Sequence, residues 1–166
     1  RFLVFGVKGM LSAAKNVRNA MLFNVLSFMS DKLLTVGNTV AALDELYIWL
    51  SNPTAIEYIR NCLKRVRKKE SAMLLASQNL EDFDQEGVRE MTKPLFSIPP
   101  HQFLFNAGSI DKRSYMDMLQ LEESEYNLIK FPQRGVCLYK CGNERYLLEV
   151  HAPAYKEKLF GTAGGR

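Results

Sequence analysis

Asp44 and Glu45 are adjacent carboxylates at the end of a short apolar run, Thr39–Val40–Ala41–Ala42–Leu43. Carboxylate oxygens suit a hard divalent cation, and a carboxylate left free of metal can take a proton from water. Neighbours on a strand point to opposite sides. The two acids can therefore divide the work, Asp44 toward a metal ion and Glu45 toward a water molecule. A second apolar run, Ser71–Ala76, ends in Ser77-Gln78-Asn79. Gln78 holds a position on its run that matches Asp44 and Glu45 on theirs. Read alone, each feature has a plainer explanation, since apolar runs ending in Asp-Glu occur at many strand ends and Gln78 suits a turn.

The elements that would position these groups follow from the pattern. Runs of small and branched apolar residues fit strands buried on both faces, as in a parallel sheet. Ligands in such sheets bind beyond the carboxyl ends of the strands. Between the two runs, Asn52 suits a helix N-cap and Pro53 the first helical position. Ile56, Ile59, Leu63 and Val66 make the inward stripe of that helix. A strand–helix–strand unit then brings both polar strand ends to one crevice. The acids at 44 and 45 fit the Walker B pattern, in which the first acid holds Mg²⁺.

The last turns of the helix crowd five cations together: Lys64, Arg65, Arg67, Lys68 and Lys69. Cations favour a helix C-terminus and solubilise it, which is one reading. The other is that an arginine reaches phosphates across a subunit interface.

Elsewhere Phe2–Val7 reads as a buried strand, and Ser12 as the N-cap of a helix from Ala13 to about Leu34. Val88 to about Phe96 reads as a helix disturbed at Pro94, after an acidic loop at Leu80–Asp84. Gln102–Asn106 is a third short strand. Asp111 or Ser109 caps a helix to about Leu119, and Glu122–Lys130 is a further short helix. Pro132–Gly135 is a turn. Val136–Cys141 and Glu144–Val150 form a hairpin around Gly142-Asn143. Pro153–Phe160 is a terminal helix, followed by a tail over 161–166.

The 166 residues are 47% hydrophobic and carry a formal net charge of +4, ordinary for a globular domain. Cys62, Cys137 and Cys141 read as reduced thiols of a cytosolic protein, and their spacing is not that of zinc ligands. No apolar run is long enough to span a bilayer, and no signal peptide is visible. The chain starts at Arg1 in the middle of an apolar run, which suggests a piece of something longer.

In this order the features resemble the conjugation and type IV secretion ATPase family, the CagE/TrbE/TraC-like branch of the HerA/FtsK-type motor ATPases. The resemblance runs over nearly the whole chain. It is carried by residues 39–45, the basic stretch Leu63–Lys69, Leu74–Phe83, Pro132–Gly135 with the hairpin after it, and Leu159–Arg166 with its Gly-Gly-Arg ending. It implies an α/β fold: a RecA-like P-loop NTPase core with a mostly parallel sheet flanked by helices and a C-terminal hairpin. Residues 1–166 would be the C-terminal portion of that domain, with the hairpin at 136–150 and the helix and tail at 153–166.

The resemblance implies ATP and Mg²⁺ as cofactors. Asp44 would help hold Mg²⁺ through water, Glu45 would polarise the attacking water, and Gln78 would sense the γ-phosphate. Arg65 or Arg67 would act in trans on a neighbour's ATP, and Arg166 would approach the nucleotide. It further implies a homo-oligomer, a hexamer, at the cytoplasmic face of a bacterial membrane. Channel components would be its partners, with DNA as a further candidate.

Two departures stand out. Leu46-Tyr47-Ile48-Trp49 is bulkier than the family's short residue and tryptophan, and no Gly-x-x-x-x-Gly-Lys-Ser/Thr loop occurs. The expected phosphate loop therefore lies upstream in a longer protein, and these residues alone are expected to hydrolyse little ATP. Two alternatives stay open: a DNA-pumping coupling protein of the same superfamily, and a non-catalytic scaffold or nucleic-acid-binding module.

Overall fold

The computed structural model describes residues 2–161 except 11, 51, 79, 84–86, 107, 109 and 132. The chain divides into two compact units, Arg1–Pro99 and Pro100–Arg166.

The first unit is built on a parallel strand pair. β1 (Val40–Leu43) lies beside β2 (Ala72–Leu75) in the register Val40↔Ala72 through Leu43↔Leu75. The connection runs through α2 (Tyr47–Leu50) and α3 (Pro53–Arg65). Asn52 caps α3, its Oδ1 accepting from the backbone N–H groups of Thr54 and Ala55, with Pro53 at the first turn. α3 buries Ala55, Ile56, Ile59 and Cys62, and it packs on α1 (Lys15–Asp31), which buries Leu22, Leu26 and Met29. α4 (Arg89–Ser97) also packs on α3. Pro94 lies inside α4, and buried Thr92 donates its hydroxyl to the carbonyls of Phe83 and Val88. The bulk of residues 46–50 has a structural reason: Leu46, Ile48, Trp49 and Leu50 are all buried, and α2 packs on α3 and on the turn at Glu81–Phe83.

Four sequence expectations need correction here. Phe2–Val7 is not a strand: Phe2 is 91% exposed and Val4 71% exposed, with no strand beside them among the described residues to supply ladder hydrogen bonds. Ser12 does not cap α1; its hydroxyl donates to the Gly9 carbonyl, and the N-cap position is Ala14, which has no side chain able to cap. The helix also ends earlier than Leu34, passing at Lys32 into a π-turn that closes at Gly37. Finally, the parallel pair is not buried on both faces. Leu43 is buried, but Val40 and Leu74 are 67% and 61% exposed on the opposite face.

The second unit holds β3 (His101–Leu104), β4 (Val136–Cys141) and β5 (Glu144–Glu149) in an antiparallel sheet ordered β3-β4-β5. The short strand expected over Gln102–Asn106 is observed as His101–Leu104, paired with β4 rather than with β1 or β2, so the fold is α/β with mixed, small sheets. The β4–β5 hairpin turns at Gly142, whose φ of +58° suits the tight turn. Asp111 caps α5 (Lys112–Leu119) through Oδ2, and Glu122 with Glu125 makes a capping box on α6 (Glu123–Ile129). α6 packs on β4. Lys140 is buried on β4 and donates to the Leu119 carbonyl. Burial pulls its ammonium below the usual lysine value; Arg145 adds to that effect and Glu125 opposes it. α7 (Ala154–Phe160) buries none of its residues. Ser109, Asp84 and the tail at 162–166 lie outside the described residues.

Gly37 marks the entry to β1. Its φ is +78°, and an added Cβ would meet the Lys69 carbonyl oxygen at 2.8 Å. Gly37→Ala should cost at least about 1 kcal/mol, read as a lower urea midpoint; an unchanged midpoint would show that the strand entry relaxes freely.

Tyr115 is buried and donates its hydroxyl to the Phe105 carbonyl at 2.9 Å. Desolvation, helped by Tyr126, pushes its phenol from 10.0 up to about 12. The folded state therefore holds this proton more tightly than the unfolded chain. The stabilisation is complete below pH 10 and is lost as pH rises through about 12. Tyr115→Phe should lower stability by about 1 kcal/mol below that window and flatten the alkaline decline within it. Denaturation midpoints for both proteins across the window check this.

Candidate functional site

Just beyond the carboxyl ends of β1 and β2, the backbones stay linked. Ala76 N–H donates to the Leu43 carbonyl and Leu46 N–H to the Ala76 carbonyl, each at 2.9 Å. These bonds carry the alignment past the last paired residues to Asp44, Glu45 and Gln78. The Gln78 amide Nε2 donates to Glu45 Oε1 at 2.8 Å. Two side chains 33 residues apart in sequence thus meet at the shared strand end.

Glu45 has a φ of +52°, the left-handed region that favours glycine. A non-glycine residue there stores of order 1–3 kcal/mol of strain and tends to occur at functional positions. The local support comes from Asp44, whose Oδ1 accepts from the Glu45 N–H at 2.9 Å. This is the self-bonding habit of Asp at turns. Sequence reading missed both the strain and this turn, although an Asp directly after a strand was the available signal.

Asp44 is exposed and Glu45 half-buried. With Oδ1 engaged by backbone, Asp44 has Oδ2 to offer outward. Among the described residues no group of three or more His, Cys, Asp or Glu could hold a metal ion.

The cations lie elsewhere. Arg65 ends α3 and Arg67 sits in the 3₁₀ turn Val66–Lys69 that leads into β2. The Lys69 carbonyl accepts from Asn38 N–H at 2.9 Å, which fixes this turn at the amino end of β1. A strand rises roughly 3.3 Å per residue, so four residues put roughly 13 Å between the two ends. The structure brings Glu45 and Gln78 together, and it does not bring Arg65 or Arg67 to them within one chain. An open recess of about 240 Å³ among the cations is lined by Leu34, Arg65, Lys68 and Lys69. It is at the amino end of the strands, away from the carboxylates. Asn79 and Arg166 lie outside the described residues. No helix of the described residues is long and apolar enough to cross a membrane.

No protein-family model matches the chain. The second segment of a probable conjugal transfer protein TrbE of Sinorhizobium fredii is 32% identical over 101 residues, 60% of this chain and 15% of that protein. The conjugal transfer protein TrbE of Rhizobium radiobacter is 31% identical over 101 residues, 60% of this chain and 12% of that protein. Among solved structures, VirB4 of Thermoanaerobacter pseudethanolicus superposes with a TM-score of 0.81 at 30% identity, over 93% of this chain and 43% of that one. The chain therefore spans less than a fifth of the curated relatives it matches and less than half of the solved structure. Over the residues matched, the chain is similar in sequence to TrbE conjugal transfer proteins and in sequence and fold to VirB4.

Proposed function

We propose that the longer protein carrying this chain hydrolyses ATP to power conjugative transfer or type IV secretion, with β1 and β2 belonging to a RecA-like core. The observation that carries this reading is the 2.8 Å bond between Gln78 and Glu45 across the ends of two parallel strands. An acid and an amide converging there is an arrangement suited to a terminal phosphate and its attacking water.

In this reading Glu45 accepts a proton from water as the water oxygen bonds the γ-phosphorus. The bond from that phosphorus to the β,γ-bridging oxygen breaks, and ADP and phosphate leave. Asp44 would hold Mg²⁺ through its hydration shell with Oδ2, and the ion, when bound, would neutralise charge on the phosphate oxygens. Gln78 senses the γ-phosphate with its amide. The phosphate cradle comes from another region of the longer protein, so the present residues alone have little activity. Arg166 is a further candidate for the nucleotide. The assembly is a homo-oligomer, a hexamer, working with channel components at the cytoplasmic face of the membrane.

Arg65 and Arg67 lie at the far end of the strands from Glu45, so any action on ATP is on a neighbour's. A second reading of the same cations has an observation behind it. Among the described residues, Lys64, Arg65, Arg67, Lys68 and Lys69 have no ion-pair partner. Unpaired clustered cations suit a phosphate backbone, and DNA is then the partner.

Glu45→Gln in the full-length protein should cut steady-state ATP hydrolysis by about 10²–10⁴-fold while nucleotide still binds. Near-normal turnover would remove Glu45 from the chemistry. For the cations, subunits carrying Arg65→Ala and Arg67→Ala are mixed with Glu45→Gln subunits. Action in trans predicts that these mixtures regain turnover that neither variant shows alone, because a Glu45→Gln subunit presents intact arginines to a neighbour's intact Glu45. If instead turnover is untouched by the arginine variants and only salt-sensitive DNA retention is lost, the DNA reading holds.

A further inference from the structure

We infer that Gln78 parks the Glu45 carboxylate until a γ-phosphate draws the amide away. This rests on the nucleotide reading above and adds to it how the acid is held idle when no ATP is present.

Glu45 is held from two sides. Its backbone N–H is bonded to Asp44 Oδ1 at 2.9 Å, and its Oε1 accepts from Gln78 Nε2 at 2.8 Å. The second bond crosses between strands, so it is a product of the tertiary register rather than of local sequence. It is also exposed to solvent at Gln78, where a hydrogen bond has a small net worth and exchanges readily. A primary amide carries two N–H donors and one acceptor oxygen. Carboxylate and phosphate oxygens compete for the same donors, and the more highly charged phosphate makes the stronger charge-assisted bond.

The consequence is a hand-off. With no γ-phosphate, one carboxylate oxygen of Glu45 is occupied by the amide and the acid is turned toward Gln78. When the phosphate takes the amide, that oxygen is free to accept the proton of water. Loss of the cleaved phosphate returns Gln78 to Glu45. Gln78 is thus a positioning residue for the acid as well as a contact for the phosphate.

The test is a double-mutant cycle on the full-length protein with Mg²⁺, measuring affinity for ADP and for a non-hydrolysable ATP analogue by calorimetry. The proteins are wild type, Glu45→Ala, Gln78→Ala and the double variant. Removing Glu45 releases the amide, so Glu45→Ala should tighten the analogue relative to ADP by about three- to tenfold. In the Gln78→Ala background that gain should vanish. A gain of the same size in both backgrounds would mean that the acid merely repels the phosphate, and the hand-off falls. No gain with Gln78 present, or a weakening, would mean that the amide bridges both groups at once, and the hand-off falls again. Glu45→Gln guards against a folding defect in the alanine variant: its neutral carbonyl accepts more weakly, so a smaller gain in the same direction is expected. Failure of the nucleotide reading looks different. Absence of any nucleotide binding removes both ideas together, whereas tight but uncoupled binding removes the hand-off alone.

Discussion

The register of β1 against β2 is the constraint on which the candidate site depends. Four residue pairs, Val40↔Ala72 to Leu43↔Leu75, set how far each strand runs before its polar end begins. A slip of one residue would move Gln78 by roughly 3.3 Å along the strand and turn alternate side chains to the other face. Glu45 and Gln78 could not then meet. Two clamps hold the register. At the amino end, Asn38 N–H bonds the Lys69 carbonyl at 2.9 Å and Thr39 N–H bonds the Ser71 hydroxyl at 3.2 Å. At the carboxyl end, Leu43, Ala76 and Leu46 continue the ladder through backbone bonds. So short a pair of strands has little intrinsic stability. Its alignment is enforced by these end bonds and by α3, whose buried Ile56, Ile59 and Cys62 are anchored against α1.

Those same end bonds explain why the strain at Glu45 is tolerated. The chain must leave β1, turn, and begin α2 within a few residues, because Leu46, Ile48 and Trp49 are all drawn into the core. Glu45 stands between a fixed strand end and a buried anchor. The left-handed φ is the conformation that joins them, and Asp44 stabilises it through its own carboxylate. The acid that faces the crevice is therefore also the hinge of the turn. Its backbone position is set by buried Leu43 before it and buried Leu46 after it rather than by local preference.

The sequence made the parallel unit legible because its signals are strong and local. Asn52-Pro53 is an unambiguous helix start, the apolar stripe of α3 has helical period, and both apolar runs stop at polar residues. A cap at Asp111 or Ser109 was legible for the same reason, since a cap is decided within one turn, whereas the Glu122/Glu125 capping box was not read. What could not be read depends on partners far away in sequence. Phe2–Val7 has strand composition, but a strand is defined by its neighbour. The expectation that β1 was buried on both faces came from apolarity alone, and apolarity cannot say which face of Val40 or Leu74 is covered. Gln102–Asn106 read as a third short strand with no partner assigned; its pairing with β4 is settled by non-local contacts that hydropathy does not encode. At the site, residue types and matched positions were visible, while the Gln78–Glu45 bond and the φ of Glu45 came from three-dimensional register.

The separation of cations from carboxylates carries a structural requirement of its own. Parallel strands place the two groups at opposite ends of the same sheet by topology: α3 must return the chain to the amino end before β2 can begin beside β1. Its C-terminus, with Arg65 and then Arg67, is therefore delivered to that end whatever the side chains are. An arginine there serves a phosphate at the carboxyl end only if another copy presents that end to it. Such a contact joins one surface to a different surface, so it is head-to-tail, and it closes only as a ring. If these cations act on nucleotide, the oligomer follows from the direction of two strands and one helix; if the copies pair face to face instead, the arginines have no phosphate to reach and their role is as a surface for polyanions.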